Sequence, residues 1–421
     1  MNGSKFPYVG LEREAGLERE AVEPPAPPLT ARGSTLRSHP ARTNRRRILV
    51  LAQLPPPEHG ASAVNRQVVN SRILSETFDL AVVPIAMSDD LARLRKFDLT
   101  KIWRSLRLFG TVAGRIFGRS RPDAVYFTLS PAGWAFYRDL ALVTLIRLAG
   151  SRCVFHLHGR GVAASIGRAP WRRRLYRFAF ARAHVITLGG TLRDDIKGLA
   201  SEPQVFVVPN GIADTTCARH PRQDVGSQRG DGRPPRILFL SNMLTEKGPL
   251  VLLEALSIVA AQGIRFEAQF VGAWRPPVTE EMFTARVHAL GLRDRVTLPG
   301  PVYGEAKDRL FAEADLFVLP TYYRHEALPL SVIEAMMHGL AIITTRVGAL
   351  PEIISDQESG ELIEPGNVAT LASALEKLLI DPTLRDRYGR AARLKYESDL
   401  TAQRFEERLR DVLLQVSHNQ A

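Results

Sequence analysis

The feature that most constrains the fold is an alternation of short apolar runs with longer segments of helical period, which occurs twice along the chain. Residues 45–213 begin with "RRRILVLAQL" and contain "DLAVVPIAM", "DAVYFTLS", "RCVFHLHG", "HVITL" and "QVFVVPNG". Residues 236–398 contain "RILFLSNM", "FEAQFVG", "RVTLPG", "DLFVLPT" and "AIITTRVG". Continuous apolar strands separated by helices are typical of parallel sheets covered on both faces. The pattern predicts an α/β fold with two Rossmann-like lobes whose parallel sheets face each other across a cleft.

Three further segments complete the predicted domain organisation. Residues 1–44 are rich in Pro, Arg and Glu and lack apolar periodicity, which predicts a disordered N-terminal extension. Residues 214–235 ("DTTCARHPRQDVGSQRGDGRPP") read as a polar linker between the lobes. Residues 399–421 include "TAQRFEERLRDVLLQVS", an amphipathic pattern that predicts a terminal helix packing back toward the N-terminal lobe. Within the first lobe, "ASAVNRQVVNSRILSETF" predicts a helix.

The composition excludes several classes of protein. Hydrophobic residues make up 45% of the chain, and no run reaches the roughly 18 apolar residues needed to span a bilayer. No apolar segment follows the N-terminal charges, so no signal peptide is expected. Cys153 and Cys217 are the two cysteines and form no C-x-x-C pattern, which argues against a disulfide scaffold, a zinc ribbon or a redox dithiol. The pair His156 and His158 lacks further ligands at zinc spacing, so no metal site is expected. A cytoplasmic location follows as the default.

The segment "RHEALPLSVIEAMMHG", residues 324–339, carries the first functional signal. Apolar residues at helical spacing predict a helix from Leu330 to His338, with Pro329 in its first turn and Gly339 as its stop. The backbone N–H groups at such a helix start, near Leu328 to Ser331, can accept a phosphate.

Two carboxylates flank this predicted helix start, Glu326 and Glu334, with seven residues between them. Glu326 should lie in the loop after the strand "DLFVLPT", and Glu334 about one turn inside the helix. Carboxylates on both sides of a phosphate suit a nucleotide sugar, which has ribose hydroxyls, a diphosphate and sugar hydroxyls in that order. The alternative interpretation is a helix with a polar face and an unrelated loop glutamate.

The longer stretch "HEALPLSVIEAMMHGLAIITTRVGALPEIISDQESGELIEPGN" resembles the E-x7-E region of the retaining GT-B glycosyltransferases, glycosyltransferase family four or group 1. Ala341 replaces the proline that usually precedes the strand. The positions that match the family pattern are Glu326, Glu334, Ala335, Met336, Gly339, Thr344 or Thr345, Gly348, Pro351, Glu352, Ile353, Gly360, Pro365 and Gly366.

The resemblance implies a GT-B fold and a donor site in the second lobe, with Leu328, Pro329 and Leu330 lining the phosphate-binding turn. By this resemblance, Glu334 would bind the ribose hydroxyls of the donor. Glu326 would hold hydroxyls of the transferred sugar and shield positive charge developing at its anomeric carbon.

The resemblance extends to "LSNMLTEKGPL", where Lys247 and Gly248 match the family's K-G and would grip the diphosphate. Asn242 stands where the family has an arginine. An asparagine donates a hydrogen bond but brings no charge, so more of the leaving-group stabilisation would rest on Lys247 and the helix start.

In the first lobe the resemblance implies three cleft residues. Gly60, in the loop "AQLPPPEHGASAVN", would approach the donor phosphates and the acceptor. His158, at the end of a strand, would contact the donor sugar and assist the reacting centre, and we expect His156 to face the other side. Asn210, in "VVPNGI", would line the cleft. The alternative for Asn210 is a plain turn, and the alternative for His158 is a histidine at a strand end whose hydrogen bonds are satisfied within the protein.

A near-match to a dinucleotide-binding motif is a rival signal. "HLHGRGVAA" gives G-x-G-x-x-A at Gly159, Gly161 and Ala164. The acidic residue expected about 20 positions later is missing, since the chain reads "YRFAFAR" there. The sequence therefore disfavours an NAD-dependent enzyme.

The net charge of +12 predicts an anionic partner. The stretches 93–121 and 167–184 are basic and interleaved with aromatic residues, and both fall in the first lobe, which holds the acceptor in the resembled family. We hypothesise peripheral binding to the inner face of the plasma membrane, with a solvated helix face as the alternative. No nucleic-acid motif accompanies the charge, so nucleic acid is disfavoured as the partner.

Together these patterns predict a retaining, metal-independent glycosyltransferase of the hexosyltransferase type. It would move a sugar from a nucleotide-sugar donor to a glycan or lipid-linked acceptor in cell-envelope or exopolysaccharide biosynthesis, without a cofactor. The predicted catalytic residues are Glu326, His158 and Lys247. Two alternatives stay open: a GT-B-fold sugar-nucleotide epimerase or hydrolase, and a non-catalytic nucleotide-sugar-binding protein.

Overall fold

The strands in the described part of the chain form two separate six-stranded sheets. The computed structural model describes residues 45–56, 59–85, 99–119, 121–216 and 232–418. The predicted disordered extension, residues 1–44, and the central part of the predicted linker, residues 217–231, lie outside the described residues.

The first sheet is built before the predicted linker, and all its neighbouring strands are parallel. Its order is β2-β1-β3-β4-β5-β6, so the direction of winding reverses between β1 and β3. The strands are β1 (Arg47–Ala52), β2 (Asp79–Pro84), β3 (Ala124–Phe127), β4 (Arg152–Leu157), β5 (Ala183–Thr187) and β6 (Val205–Val207).

The second sheet follows the linker and repeats this arrangement with the order β12-β11-β10-β7-β8-β9. Here the winding reverses between β7 and β10, which are hydrogen-bonded neighbours. The strands are β7 (Arg236–Leu240), β8 (Glu267–Val271), β9 (Val296–Gly300), β10 (Leu316–Leu319), β11 (Ala341–Thr345) and β12 (Glu361–Ile363). The predicted α/β fold with two parallel-sheet lobes is confirmed.

The helices of the first lobe cover both faces of its sheet. They are α1 (Gly60–Asn70), α2 (Arg72–Thr77), α3 (Leu99–Phe117), α4 (Gly133–Leu148), α5 (Val162–Arg168) and α6 (Arg172–Phe180), with short 3-10 segments at Gly190–Ile196 and Glu202–Gln204. The single helix predicted over "ASAVNRQVVNSRILSETF" is two helices. Ser71 has an extended backbone and its hydroxyl accepts the N–H of Leu74, which ends α1 and caps α2.

The helices of the second lobe surround its sheet in the same way. They are α7 (Pro249–Ala261), α8 (Glu280–Ala289), α9 (Gly304–Glu313), α10 (Leu330–Met337), α11 (Leu350–Ile353), α12 (Val368–Ile380) and α13 (Pro382–Asp399), with a 3-10 turn at Thr245–Lys247. A further helix, α14 (Ala402–His418), follows them in the chain. Across the described ranges, no helix combines the length and the apolar character that crossing a bilayer requires.

The last helix, α14, packs on the first lobe rather than on the second. Its apolar side Phe405, Leu409 and Leu413 is buried against strands β1, β3 and β4, on the sheet face opposite to α3–α6. At its C-terminal end, the guanidinium of Arg152 donates hydrogen bonds to the carbonyl oxygens of Val416 and Ser417, 2.9 and 3.0 Å away. The chain therefore passes from the first lobe to the second through the linker, and it returns to the first lobe with α14.

We predict that the α14 contact contributes strongly to stability. Phe405 is fully buried, so Phe405→Ala should lower the free energy of unfolding by about 3–5 kcal/mol through lost apolar contact and a cavity. Urea titration followed by circular dichroism measures the change. Arg404→Ala, at the exposed neighbouring position, is the matched control. Equal effects of the two substitutions would contradict the packing role of α14.

Candidate functional site

Two loops meet at the carboxyl ends of β7 and β10, where the winding of the second sheet reverses. Such a reversal leaves a crevice, because the connections of the two strands diverge to opposite faces of the sheet. The loop after β7 carries Lys247, and the loop after β10 carries Glu326. The two predicted site residues are far apart in sequence, and the sheet order brings them together.

Lys247 and Glu326 form an ion pair, with 2.5 Å between Lys247 Nζ and Glu326 Oε2. Their side chains are only 13% and 8% exposed. Thr321 donates a hydrogen bond from its hydroxyl to the same carboxylate oxygen, at 3.1 Å. The ammonium also lies 5.0 Å from the centre of the Tyr323 ring, a cation–π distance. With so little access to water, each charge depends on the other for stabilisation.

Backbone contacts also join the two loops. The N–H of Tyr322 donates to the carbonyl oxygen of Glu246 at 2.7 Å. Gly248 has a left-handed conformation, with φ 81°, and a Cβ there would overlap the carbonyl oxygen of Pro320. Only glycine satisfies both demands, which explains the K-G pair in the sequence.

The start of α10 lies beside this ion pair. The helix begins at Leu330, and Pro329 has an extended backbone one position before it, so the predicted place of Pro329 inside the first turn is wrong by one residue. Within the described parts of the chain, no side chain caps this helix start. Its first N–H groups therefore keep the capacity to bind an anion. Gly339 has φ 62° just after the helix, as predicted for its stop.

The first lobe approaches the start of α10 at two points. A Cβ on Gly60, the first residue of α1, would lie 4.0 Å from the Leu330 side chain. Asn210, which is 4% exposed, donates from its side-chain amide to the carbonyl oxygen of Leu328 at 3.3 Å. Gly60 and Asn210 therefore line the same cleft as Leu328, Pro329 and Leu330.

Glu334 is the fifth residue of α10 and pairs with a lysine that sequence reasoning missed. Lys307 of α9 places its Nζ 2.5 Å from Glu334 Oε1. Burial raises the pKa of Glu334 above its ordinary value, the Lys307 ammonium opposes that rise, and Asp308 adds to it. No pattern in the sequence links residue 307 to residue 334, because the contact depends on how α9 packs on α10.

His158 follows β4 at the carboxyl end of the first sheet, as predicted. The expectation that His156 faces the other side is wrong: the two ring centroids are 4.1 Å apart. Residues two apart in a strand point to the same face, which is why the two rings lie on one side of the sheet. The Tyr126 hydroxyl lies 2.6 Å from His156 Nδ1.

The His158 ring is neutral at physiological pH. Burial lowers the pKa of His158 to about 4, and His59 adds to the shift. Among the described residues, neither of its ring nitrogens has a hydrogen-bond partner. The imidazole therefore keeps both a donor and an acceptor for a ligand.

The near-match at Gly159, Gly161 and Ala164 does not form a phosphate site. The carboxylate of Asp195 accepts the N–H groups of Gly161, Val162 and Ala163 at 2.8, 3.0 and 3.1 Å. A carboxylate already occupies this helix start, where a dinucleotide would need to place its pyrophosphate. The turn instead contacts the second lobe, since Arg160 O lies 2.7 Å from His325 Nδ1.

Glu352, a matched position of the long motif, bridges the lobes. Its carboxylate accepts the N–H groups of Gly190 and Thr191, each at 2.8 Å, and the Thr191 hydroxyl at 2.6 Å. Burial raises the pKa of Glu352, but these hydrogen bonds outweigh burial and lower it below its ordinary value. The carbonyl oxygen of Gly348 lies 2.9 Å from the same Thr191 hydroxyl oxygen.

Asn242 lies exposed in the turn after β7, and its carbonyl oxygen accepts the N–H of Leu244 at 2.8 Å. Thr321 and Tyr323, which complete the surroundings of Lys247, were also missed. A polar residue two positions after the buried run "LFVL" was the available signal for Thr321. In the described part of the chain, no group of three or more His, Cys, Asp or Glu side chains could hold a metal ion.

Comparison with known proteins places the second lobe in a family. Residues 223–395 match the family model described as glycosyl transferases group 1. The curated alpha-D-kanosaminyltransferase of Streptomyces kanamyceticus is 29% identical over 217 residues, which covers 50% of this chain and 54% of that protein. This chain therefore spans about half the length of that curated relative.

Solved structures resemble the whole two-lobed arrangement. The sucrose-phosphate synthase of Thermosynechococcus elongatus superposes with a TM-score of 0.67 at 18% identity, covering 88% of this chain and 99% of that one. Anabaena HepE in complex with UDP-glucose superposes with a TM-score of 0.64 at 17% identity, covering 88% and 99%. At these identities the likeness establishes the fold, which is GT-B.

We predict strong coupling between Lys247 and Glu326. Lys247→Met leaves a poorly solvated carboxylate without its cation, so it should lower the free energy of unfolding by about 3–5 kcal/mol. Combining it with Glu326→Leu removes the uncompensated charge and should cost less than the sum of the two single changes. Urea titration of the four proteins measures the coupling. Additive effects would show that the two side chains do not depend on each other.

Proposed function

We propose that this chain, whose residues 223–395 match the group 1 glycosyl transferases, transfers a sugar from a nucleotide-sugar donor to an acceptor hydroxyl with retention at the anomeric carbon. The observation that carries this proposal is the Lys247–Glu326 ion pair beside the uncapped start of α10. A lysine and a helix start together attract a diphosphate, and the glutamate beside them can bind the hydroxyls of a sugar.

The donor would lie along the cleft in the order ribose, diphosphate, sugar. Glu334 would hold the ribose, while Lys247 and the N–H groups at Leu330 would hold the diphosphate. Gly248 lets the backbone before α7 come close enough for Lys247 to reach it. Asn242, exposed in the turn after β7, would add a neutral hydrogen bond where the resembled family pattern has an arginine.

In the reaction, the bond between the anomeric carbon and the diphosphate oxygen breaks, and its electron pair leaves with the nucleoside diphosphate. The acceptor oxygen bonds to the same face of that carbon, and its proton ends on the released diphosphate or on solvent. Glu326 would stabilise the positive charge that develops on the sugar. His158, neutral and with both ring nitrogens uncommitted among the described residues, would orient the sugar hydroxyls.

We propose that this chemistry needs no bound metal and no cofactor. The negative charge of the leaving diphosphate can be balanced by Lys247 and by the partial positive charge at the start of α10. Donor turnover should then be insensitive to chelators. Gly60 and Asn210 would position the first lobe against the donor, through their contacts with Leu330 and Leu328.

Two rival functions predict different reactants. An epimerase or hydrolase would consume the donor without any acceptor, whereas the transferase needs an acceptor for rapid turnover. A non-catalytic nucleotide-sugar-binding protein would bind the donor without consuming it. The Lys247–Glu326 pair supports catalysis over binding alone, because a site that only binds would not require a carboxylate beside the transferred sugar. Dependence of turnover on an acceptor separates the transferase from the epimerase or hydrolase.

We predict that Glu326→Gln separates binding from chemistry. Loss of the charge beside the sugar should reduce donor turnover by about 100-fold or more, while the affinity for the nucleoside diphosphate stays nearly unchanged. Lys247→Ala should weaken both. Thermal shift with a panel of nucleotide sugars identifies the donor, and chromatographic assay of nucleoside diphosphate release measures turnover. Equal turnover in wild type and Glu326→Gln would overturn the proposed chemistry.

We further propose that the acceptor is glycan or lipid-linked, that the protein acts in cell-envelope or exopolysaccharide biosynthesis, and that it works in the cytoplasm at the inner face of the plasma membrane. The supporting surface is the outer side of α3–α6, helices that pack in one layer over one sheet face. It exposes Trp103, Phe117, Trp134 and Trp171 together with many arginines.

Acidic side chains are nearly missing from this layer. The four helices contain one acid, Asp139, which is completely buried and paired with Arg138. Exposed aromatic rings among unopposed arginines suit the interface of an anionic bilayer, where each basic residue near the surface is worth about 1 kcal/mol.

We predict that the protein floats with vesicles containing anionic lipid at low salt and dissociates at high salt. Arg173→Glu combined with Arg174→Glu, both on the exposed side of α6, should abolish flotation. Arg390→Glu combined with Arg404→Glu makes the same change of charge on α13 and α14 and should leave flotation intact. Loss of flotation in both double variants would contradict the assigned surface, because net charge alone would then explain binding to the vesicles.

A further inference from the structure

A second lysine–glutamate pair, Lys307 with Glu334, borders the proposed ribose position, and the donor scheme above makes no use of its lysine. We propose that Lys307 is a specificity-determining residue that binds the donor ribose jointly with Glu334, so that the site selects ribonucleotides over 2′-deoxyribonucleotides. This role rests on the proposed function and deepens it by naming the part of the donor that is discriminated.

The packing of α9 on α10 fixes the geometry of this pair. Phe311 lies one helical turn after Lys307, and His338 lies one turn after Glu334. The Phe311 and His338 rings stack with centroids 5.4 Å apart and planes 13° from parallel. Phe311 is fully buried. The stacked rings therefore act as an anchor that holds the lysine opposite the glutamate.

Lys307 reaches inward although its own helix offers an acid on the outside. Glu305 of α9 pairs with Arg309, one turn away, at 3.9 Å, and both side chains are well exposed. The Lys307 and Glu334 side chains are 26% and 16% exposed, and their atoms are 2.5 Å apart. Ordering a long lysine side chain in this half-buried position costs conformational entropy. The contact with Glu334 must offset that cost.

The pair presents complementary groups to a vicinal diol. Only Oε1 of Glu334 is engaged by the described residues, which leaves Oε2 able to accept a hydroxyl. The Lys307 ammonium has three donors, one of them directed at Glu334. One ribose hydroxyl can donate to the carboxylate while the other accepts from the ammonium. A 2′-deoxyribose lacks one of the two hydroxyls and leaves a charged group without its partner.

Lys307 also affects the charge state of Glu334. Burial raises the pKa of Glu334, and Lys307 opposes that rise, whereas Asp308 on the same helix adds to it. The Lys247–Glu326 pair lies near the start of α10. His338 lies at its far end, and so does Arg393 of α13, whose guanidinium contacts the Met337 carbonyl oxygen. Removing Lys307 therefore raises the pKa of the carboxylate further.

The test measures the affinity of UDP, GDP, ADP and CDP and of their 2′-deoxy counterparts by calorimetry. We expect wild type to prefer one ribonucleotide over its 2′-deoxy form, and Lys307→Met to reduce that preference by about tenfold. Arg309→Met, which removes one positive charge from the exposed side of the same helix, should preserve the preference. Lys307→Arg, which keeps a cation with several donors, should restore most of it.

The pH dependence of nucleotide affinity is a second test, because it would not change if Lys307 had a purely structural role. Ribose binding needs the ionised carboxylate, so affinity falls as the pH drops through the pKa of Glu334. Without Lys307 that pKa is higher, and the fall in affinity should begin at a higher pH in Lys307→Met than in wild type or Arg309→Met. Titrations from about pH 8 downward follow this fall in each variant, because the pKa of Glu334 is raised above its ordinary value.

Inorganic pyrophosphate serves as a probe of the diphosphate position alone. Its affinity should be the same in Lys307→Met and wild type, which also shows that the variant is folded. A parallel loss of pyrophosphate affinity would overturn the ribose assignment, because Lys307 would then act on the phosphates. Equal discrimination by Lys307→Met and wild type would overturn it as well. If wild type bound none of the nucleotides, the proposed function would fail, and this role with it.

Discussion

The site depends on a single electrostatic constraint, the pairing of Lys247 with Glu326 in a place with little water. Two isolated charges in such a crevice would be strongly unfavourable, but together they neutralise each other. Thr321 and Tyr323 supply the remaining contacts of the pair. A ligand with a diphosphate next to a hydroxylated ring can separate the two charges without leaving either one uncompensated. The same pair can thus stabilise the cleft and select what enters it.

The loop that carries Glu326 is part of the second lobe and also contacts the first. His325 touches Arg160, and the Leu328 carbonyl oxygen accepts from Asn210. Glu352 and Gly348, one strand further on, contact Thr191. Each of these contacts joins the second lobe to residues at the carboxyl edge of the first sheet. The position of the glutamate is therefore set by the way the lobes meet as well as by its own strand.

The strands were predictable because parallel strands covered on both faces consist of continuous apolar runs, such as "RILVLA" in β1 and "LFVL" in β10. β12 (Glu361–Ile363) gives no such run, because one of its three residues is charged and only two are apolar. The break between α1 and α2 was missed because helical periodicity continues across Ser71, and only its extended backbone shows the cap. The expectation that His156 and His158 face opposite sides is wrong, because strand residues two apart share a face.

The sequence by itself determined the two-lobed α/β architecture, the position of Glu326 and Glu334 around a helix start, and the turn in which Gly248 follows Lys247. These features follow from local patterns, because strand burial, helix stops and left-handed turns each leave a mark within a few residues. Only the tertiary structure decided that Lys247 meets Glu326, that Lys307 meets Glu334 and that Asp195 closes the helix start after Gly161. Those partners are separated by 79, 27 and 34 positions. Strand order and helix packing bring them together, and no local sequence pattern records either one.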